Sequence, residues 1–445
     1  MPSTQEAASD AKPRLPPSAT HLGINLIGLV VVFATIYVMR ARHAPVGDAV
    51  FALVMATALP IILLDVLVLK VHRRESTGID WDKPFDFNAG RLATKLLGFA
   101  FTLCLIGIVY WALPEYSFLR VTTGSFYDPF YYDIIKFGPL LCVAAIVYFW
   151  VVDGQLRNPQ DAYWQLGRVL LGHPSDAQRF DVANHFRGWL VKAFFFPLML
   201  VWLTGNVRDI VNFDPANVAY NNLTLYHFLN TLFYGLDLLF CVVGYALSLR
   251  VIDTHIRTAE PTMFGWAVAL FCYQPFYSLF ERQYVQYGTG LDFEAWLAPH
   301  LTLRWIWAGA ILLLVGIYVL ATIVFGVRFS NLTHRGILTN GPYRFTKHPA
   351  YISKNFSWWL VSVPFLPRLP AEEVVRHCLL LGCVNMIYFL RAKTEERHLS
   401  RDPTYVAYAL WMNEHGMLSF VGRWFPLLRY KPPATETTAV PVPAE

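Results

Sequence analysis

Long apolar runs separated by short polar connections fill almost the whole chain. Runs near 22–39, 47–69, 95–113, 134–152, 188–205, 225–249, 263–280, 303–326, 351–367 and 373–391 each read as a membrane span. A hydrocarbon layer of roughly 30 Å takes about 20 apolar residues in helical form. The ten-residue alternation of a barrel strand is missing, so the spans are expected as helices. The pattern predicts an all-α polytopic membrane protein with about ten transmembrane helices. The ninth run is short and holds Pro364 and Pro367, which predicts a broken or tilted helix. The first run ends in RARH with no small-residue cleavage site, so it reads as a retained span and not a signal peptide. Residues 1–20, rich in Pro, Ala and Ser, and the tail 431–445 are expected to be disordered.

Composition agrees with that pattern. Of 445 residues, 55% are hydrophobic and only 15% charged, against roughly 25% charged in soluble domains. The net charge of +5 gives no case for nucleic-acid binding. The six cysteines lie in apolar stretches without a C-x-x-C pair, and they read as small buried hydrophobes. The thirteen histidines form no H-x-x-x-H or H-E-x-x-H pattern, so no metal is expected. Lys and Arg concentrate in the second, fourth and eighth connections and in the C-terminal region, which predicts both termini in the cytoplasm. Most Trp and Tyr residues read as an interfacial belt. Asp65, Asp237 and Asn385 fall inside expected spans, where polar groups are costly and invite a functional reading. Asp65, near a span end, reads as structural.

Two polar clusters stand out. HRGILTNGPYRFTKHPAY covers His334 to Tyr351, and RAKTEERHL covers Arg391 to Leu399, followed by Tyr405 and Tyr408. Both are expected on the cytoplasmic side, at the two ends of a hairpin made by the ninth and tenth spans. A hairpin brings its ends together, so His348 and Tyr351 are expected to face Glu395 or Glu396 across one pocket. Arg391 lies four residues before Glu395 on the same helix face, the spacing of a solvated ion pair.

The pattern G-P-Y-R-x-x-K-H-P-x-Y, a hydrophobic hairpin, then R-x-x-x-E-E-x-x-L and two tyrosines resembles the isoprenylcysteine carboxyl methyltransferase family, and phospholipid N-methyltransferases are similar. The resemblance covers about 320–430. It implies a C-terminal catalytic module at 301–430 behind a membrane domain of about seven helices at 21–300. It implies S-adenosyl-L-methionine as cofactor, bound by Gly341, Pro342, Tyr343, Lys347, His348, Tyr351, Arg391, Glu395, Glu396, Tyr405 and Tyr408, with Glu396 holding the cofactor's positive end. His348 and Arg344 are the candidate catalytic residues, and the expected partner is an amphiphilic or lipidated acceptor drawn from membrane lipid. Lys347 stands where the family usually has Arg, which keeps the charge and loses the two-pronged fork. The chemistry fits the residue types: carboxylates balance a sulfonium and an ammonium, cations bind a carboxylate, and tyrosine faces support an adenine. A carboxylate acceptor needs only alignment and removal from water. An amine or thiol acceptor needs deprotonation, for which His348 is available.

The overall architecture also resembles C14 and Δ7 sterol reductases. Thr339, Gly341, Lys347, His348, Pro349 and Tyr351 stand in register with their motif, and Gly154, Asn158 and Pro159 give a thin echo of their second signature. That resemblance implies NADPH, with Asp237 as a proton relay. Departures weigh against it: Pro342 and Tyr343 replace a Trp pair, Ala350 an Asn, Ser353 and Lys354 a Gly-Asp, Leu156 a Glu and Gln160 an Arg. A non-enzymatic lipid-binding or transport role is the third reading, and no internal repeat supports a transporter.

Overall fold

The structure, a computed structural model, describes residues 14–113, 125–219, 223–288, 292–366 and 370–433. In chain order the helices are α1 Leu22–Ala41, α2 Val46–Leu67, α3 Ala89–Ala112, α4 Asp128–Gln155, α5 Ala162–Leu170, α6 Arg179–Val211, α7 Thr224–Ala246, α8 Met263–Leu270, α9 Phe276–Gln283, α10 Phe293–Trp296, α11 Leu301–Ile323, α12 Pro349–Ser362, α13 Ala371–Leu399, α14 Pro403–His415 and α15 Ser419–Trp424. Two short strands, β1 Thr258–Ala259 and β2 Thr333–His334, pair antiparallel with Thr258 opposite His334. The fold is all-α and polytopic, as the apolar pattern predicts.

Among the described residues, eight helices are long and apolar enough to cross a membrane: α1, α2, α3, α4, α6, α7, α11 and α13. Two expected spans fall short. The seventh run divides into α8 and α9, separated by residues 271–275, because Pro275 has no N–H for a continuous helix. Each piece is only about 12 Å long. The ninth run yields α12, about 21 Å long, which ends at Ser362 where Val363 turns left-handed with φ 37°. Pro364 follows that turn, and Pro367 lies outside the described residues.

The main core joins α1, α2, α6, α7 and α11 around Phe195, Phe240, Tyr245 and Ile311. Asn385, polar inside a long apolar helix, holds α13 to α12: it accepts from the Trp359 indole at 2.7 Å and donates to Asn355 at 2.5 Å. The cysteines divide in their placement. Cys241 is buried, whereas Cys104, Cys142 and Cys383 are exposed on the outer faces of their helices. For those three the expectation of burial does not hold.

Two features brace the connection between α11 and α12. Residues 16–20, which composition assigns to a disordered tail, run along it instead. Ala19 N–H donates to the Ile337 carbonyl at 2.8 Å, the Thr339 hydroxyl donates to the Pro16 carbonyl at 2.8 Å, and the Asn340 amide donates to the Thr20 carbonyl at 2.7 Å. The remainder of the expected tails, 1–13 and 434–445, lies outside the described residues. The second brace is a nest around Asp253, whose side chain is fully buried. Arg74, Arg257 and Arg328 approach its carboxylate at 3.2–3.4 Å, and Ser76 donates to it at 2.8 Å. Arg335, beside this nest, donates to the carbonyls of Thr254, Gly244, Phe329 and Leu247. Asp65, buried in α2, lies within electrostatic reach of Arg328 and Arg74.

Candidate functional site

The GPYR stretch forms a single 3-10 turn, Gly341–Arg344. Gly341 is required there: its φ is +54°, and a Cβ would stand 2.6 Å from Val324 Cγ2. Pro342 occupies the first turn, where a missing N–H costs nothing. The Tyr408 hydroxyl, from α14, donates to the Tyr343 carbonyl at 2.6 Å and fixes the turn from the other side. His348 then ends the loop and Pro349 opens α12, so the imidazole is held at the helix start.

α13 continues through the second polar cluster without a break, and its adjacent glutamates point about 100° apart. That angle sends them to different places. Glu396 is buried among cations: Lys347 Nζ lies 2.5 Å from Oε1, His348 Nε2 lies 3.3 Å from the same oxygen, and Lys393 Nζ lies 2.8 Å from Oε2. Burial pushes the Lys347 ammonium below its ordinary range, and the Glu396 charge works against that. Glu395 takes one hydrogen bond, from the Tyr351 hydroxyl to Oε2 at 2.7 Å. Among the described residues its Oε1 has no partner. The Tyr351 ring stacks on His348, with 5.5 Å between centres and 5° between planes, and the Arg391 guanidinium lies 5.1 Å from its centre.

These side chains separate two spaces. One is a chamber of about 150 Å³ whose lining includes Glu260, Tyr273, Asn331, Tyr343, Lys354, Arg391, Glu395, His398, Tyr405 and Tyr408. The other is a larger, mainly apolar groove of about 460 Å³, lined by Phe345, Ile352, Phe356, Trp359, Phe389 and Leu418, with Glu396 and Lys393 at its polar side. Lys347, His348, Tyr351 and Tyr388 border both. A charged ligand in the first space and a hydrocarbon chain in the second would meet at His348 and Tyr351.

The structure therefore brings His348 to Glu396 and Tyr351 to Glu395, with Tyr343, Arg391, Tyr405 and Tyr408 around one chamber. Other expectations change. Arg391 does not pair with Glu395. Its Nη2 donates to Asn331 Oδ1 at 2.5 Å and lies 3.4 Å from the Tyr273 hydroxyl. Glu396, expected to hold a cofactor's positive end, is already neutralised by Lys347 and Lys393, and Glu395 is the carboxylate facing the chamber. Arg344 is exposed and borders neither space. Gly341 and Pro342 shape the turn without lining the chamber. Gly154, Asn158 and Pro159 also border neither space. Asp237 accepts from the Tyr318 and Thr322 hydroxyls at 2.5 and 2.6 Å, which satisfies both its oxygens.

Sequence reasoning missed Glu260, Tyr273, Asn331, Lys354 and His398 as lining residues. Glu260 is buried, accepts from the Thr262 hydroxyl, and lies 3.8 Å from both Arg397 and His398. Its segment precedes Glu395 by 135 positions, so no local spacing links them. A usable signal existed for two of them: His398 lies inside RAKTEERHL, and Lys354 is a charged residue six positions after His348 inside an apolar helix. Among the described residues, no cluster of His, Cys, Asp and Glu is arranged to hold a metal ion.

A family model described as the isoprenylcysteine carboxyl methyltransferase (ICMT) family matches residues 301–401, the stretch that supplies α11, the GPYR turn, α12 and α13. No curated protein and no solved structure matches the chain. Taken with the apolar helices, the match supports an integral membrane methyltransferase.

Proposed function

We propose that this protein transfers a methyl group from S-adenosyl-L-methionine to an amphiphilic acceptor of isoprenoid or lipid type, a prenylcysteine carboxylate being the acceptor class closest to the matched family. The reading rests above all on the Glu395 carboxylate, held among the described residues by Tyr351 alone, in a tyrosine-walled chamber that also carries Arg391 and Lys354. Both signs of charge and several aromatic faces suit a ligand that is at once zwitterionic and aromatic. When bound, the cofactor supplies a sulfonium methyl that is open to in-line displacement. Glu395 balances the positive charge beside that methyl. Tyr405 and Tyr408 offer ring faces to the adenine, and Tyr343 closes the same wall.

The apolar groove suits the acceptor's chain, with its head group at the wall shared by His348 and Tyr351. His348 there orients a carboxylate acceptor, or takes the proton from an amine or thiol. Lys347 and Lys393 keep Glu396 engaged, so the imidazole is held by a carboxylate that does not compete for the ligand. We place the module, with both termini, on the cytoplasmic side, following the distribution of Lys and Arg.

The test is equilibrium binding of S-adenosylhomocysteine and of NADPH to the purified full-length protein in detergent. Saturable binding of S-adenosylhomocysteine, weakened about tenfold or more in Glu395→Gln, is expected. Binding of NADPH alone would overturn the reading.

A further inference from the structure

The cations that are wholly or partly buried differ in what they face. Arg328, Lys95 and Lys347 each meet a carboxylate within 3.2 Å, and Arg335 meets four carbonyls. Lys354 meets neither. It lies on α12 and lines the chamber, with Nζ 4.9 Å from the centre of the Tyr318 ring and 5.7 Å from that of Trp358. Among the described residues it has no ion-pair partner and no hydrogen-bond acceptor. Asp237 is within electrostatic reach, but Tyr318 and Thr322 occupy its oxygens, and no contact of 4 Å or less joins it to Lys354.

Arg391 lines the same chamber and interacts electrostatically with Lys354. It too lacks a carboxylate partner. Its hydrogen bonds use Nη2 only, leaving Nε and Nη1 without acceptors among the described residues. Two like charges gathered in a low-dielectric space repel one another, and desolvation adds to the cost. An anion arriving in the chamber would relieve both costs at once. The aromatic walls around Lys354 offset part of the cost while the site is open.

We propose that Lys354, together with Arg391, forms a receptor for a ligand carboxylate inside the chamber. The proposal deepens the methyltransferase reading and rests on it for the identity of the ligand. Two carboxylates meet that description: the amino-acid carboxylate of the adenosyl cofactor and the carboxylate of an acidic acceptor. Lys354 is a binding residue under either source. The competing account makes it a distant counter-ion of Asp237.

Two matched ligand pairs decide between these accounts, measured on the purified full-length protein in detergent. The first is S-adenosylhomocysteine against its decarboxylated analogue. The second is farnesylcysteine against its carboxamide. In the wild type, the acid of at least one pair is expected to bind about tenfold or more tightly than its neutral partner. Lys354→Met should erase that preference without weakening the neutral ligand, and Lys354→Arg should retain most of it. Loss confined to the first pair assigns the cofactor's carboxylate, and loss confined to the second assigns the acceptor's. The proposal is overturned if neither acid is preferred in the wild type, or if Lys354→Met keeps the preference. It is also overturned if Lys354→Met weakens acid and neutral ligands alike and Asp237→Asn restores both, the signature of a counter-ion. A wild type that binds no adenosyl ligand yet prefers farnesylcysteine to its carboxamide would sink the methyltransferase reading and leave the receptor standing.

Discussion

Two nests of buried charge lie in this protein, and they are built on opposite plans. Around Asp253, three arginines and a serine converge on one fully buried carboxylate. Around the chamber, among the described residues, Glu395 keeps an oxygen free, Arg391 keeps two nitrogens free, and Lys354 has no anion in contact. The first nest is closed about its carboxylate, both of whose oxygens are occupied, while Arg257 Nε and Arg328 Nε have no partner among the described residues, and it joins the connection after α7 to the one after α11. The second is open toward a space. Burial alone does not separate the two, since both kinds of group are largely hidden from solvent. What separates them is whether the partners are already present, and that is the physical difference between a brace and a binding site.

The comparison predicts opposite consequences for neutral, near-isosteric substitutions. Asp253→Asn should be the most damaging to stability. It leaves Arg328 and its neighbours without the charge that compensates their burial, and losing one partner of a buried pair costs about 3–5 kcal/mol. Asn tolerates the left-handed backbone at this position, φ 54°, so the loss would report charge and not strain. Thermal unfolding in detergent should show a large drop in midpoint. An unchanged midpoint would erase the distinction between the nests.

Glu395→Gln should do the reverse: an unfolding midpoint near wild type, and about 10–100-fold weaker binding of S-adenosylhomocysteine. Glu396→Gln provides the internal contrast, because the neighbouring carboxylate is closed by Lys347, His348 and Lys393. It should lower the midpoint more than Glu395→Gln does. If the two substitutions were indistinguishable in both assays, the assignment of Glu395 to the ligand and Glu396 to the frame would fail.

How far the sequence reveals this arrangement depends on how local each cause is. The long helices follow from uninterrupted apolarity, and the meeting of the two polar clusters follows from a short hairpin. The division of 263–280 into α8 and α9 was visible only in Pro275, which hydropathy alone does not register. The Pro-rich residues 16–20 read as disordered because composition cannot show that their carbonyls find Thr339 and Asn340 more than 300 positions away. The open or closed character of each charge was illegible for the same reason. Whether Arg391 pairs with Glu395, one helical turn away, or with Asn331, 60 positions earlier, is decided by the packing of α13 against the connection after α11.

The GPYR turn tests how much the chamber depends on its frame. Gly341→Ala forces a left-handed residue to carry a Cβ against Val324. The strain should cost about 1–2 kcal/mol. Because Tyr343 is tied to Tyr408 across the chamber wall, ligand binding should weaken together with the midpoint. Weaker binding at an unchanged midpoint would mean that Gly341 touches the ligand directly, which its absence from the chamber lining argues against.

The smallest effect belongs to a pair at the edge of the fold, a buried His334 and a partly buried Asp402. Asp402 caps α14 through the Thr404 N–H at 2.8 Å, and its other oxygen lies 3.1 Å from His334 Nε2. The close His334 ring, with the Thr404 N–H, holds the Asp402 carboxyl well below the usual carboxylate range. A carboxyl depressed by folding contributes stability above its unfolded value of about 3.9 and loses it as the pH falls toward the folded value. Acidification from pH 5 to pH 3 should therefore destabilise the wild type more steeply than Asp402→Asn, which keeps the cap and cannot titrate. The difference should be about 1 kcal/mol or less, because the pair is partly solvated. Parallel acid limbs for the two proteins would show that His334 and Asp402 contribute through the cap alone, and would confine the closed plan to fully buried groups such as Asp253.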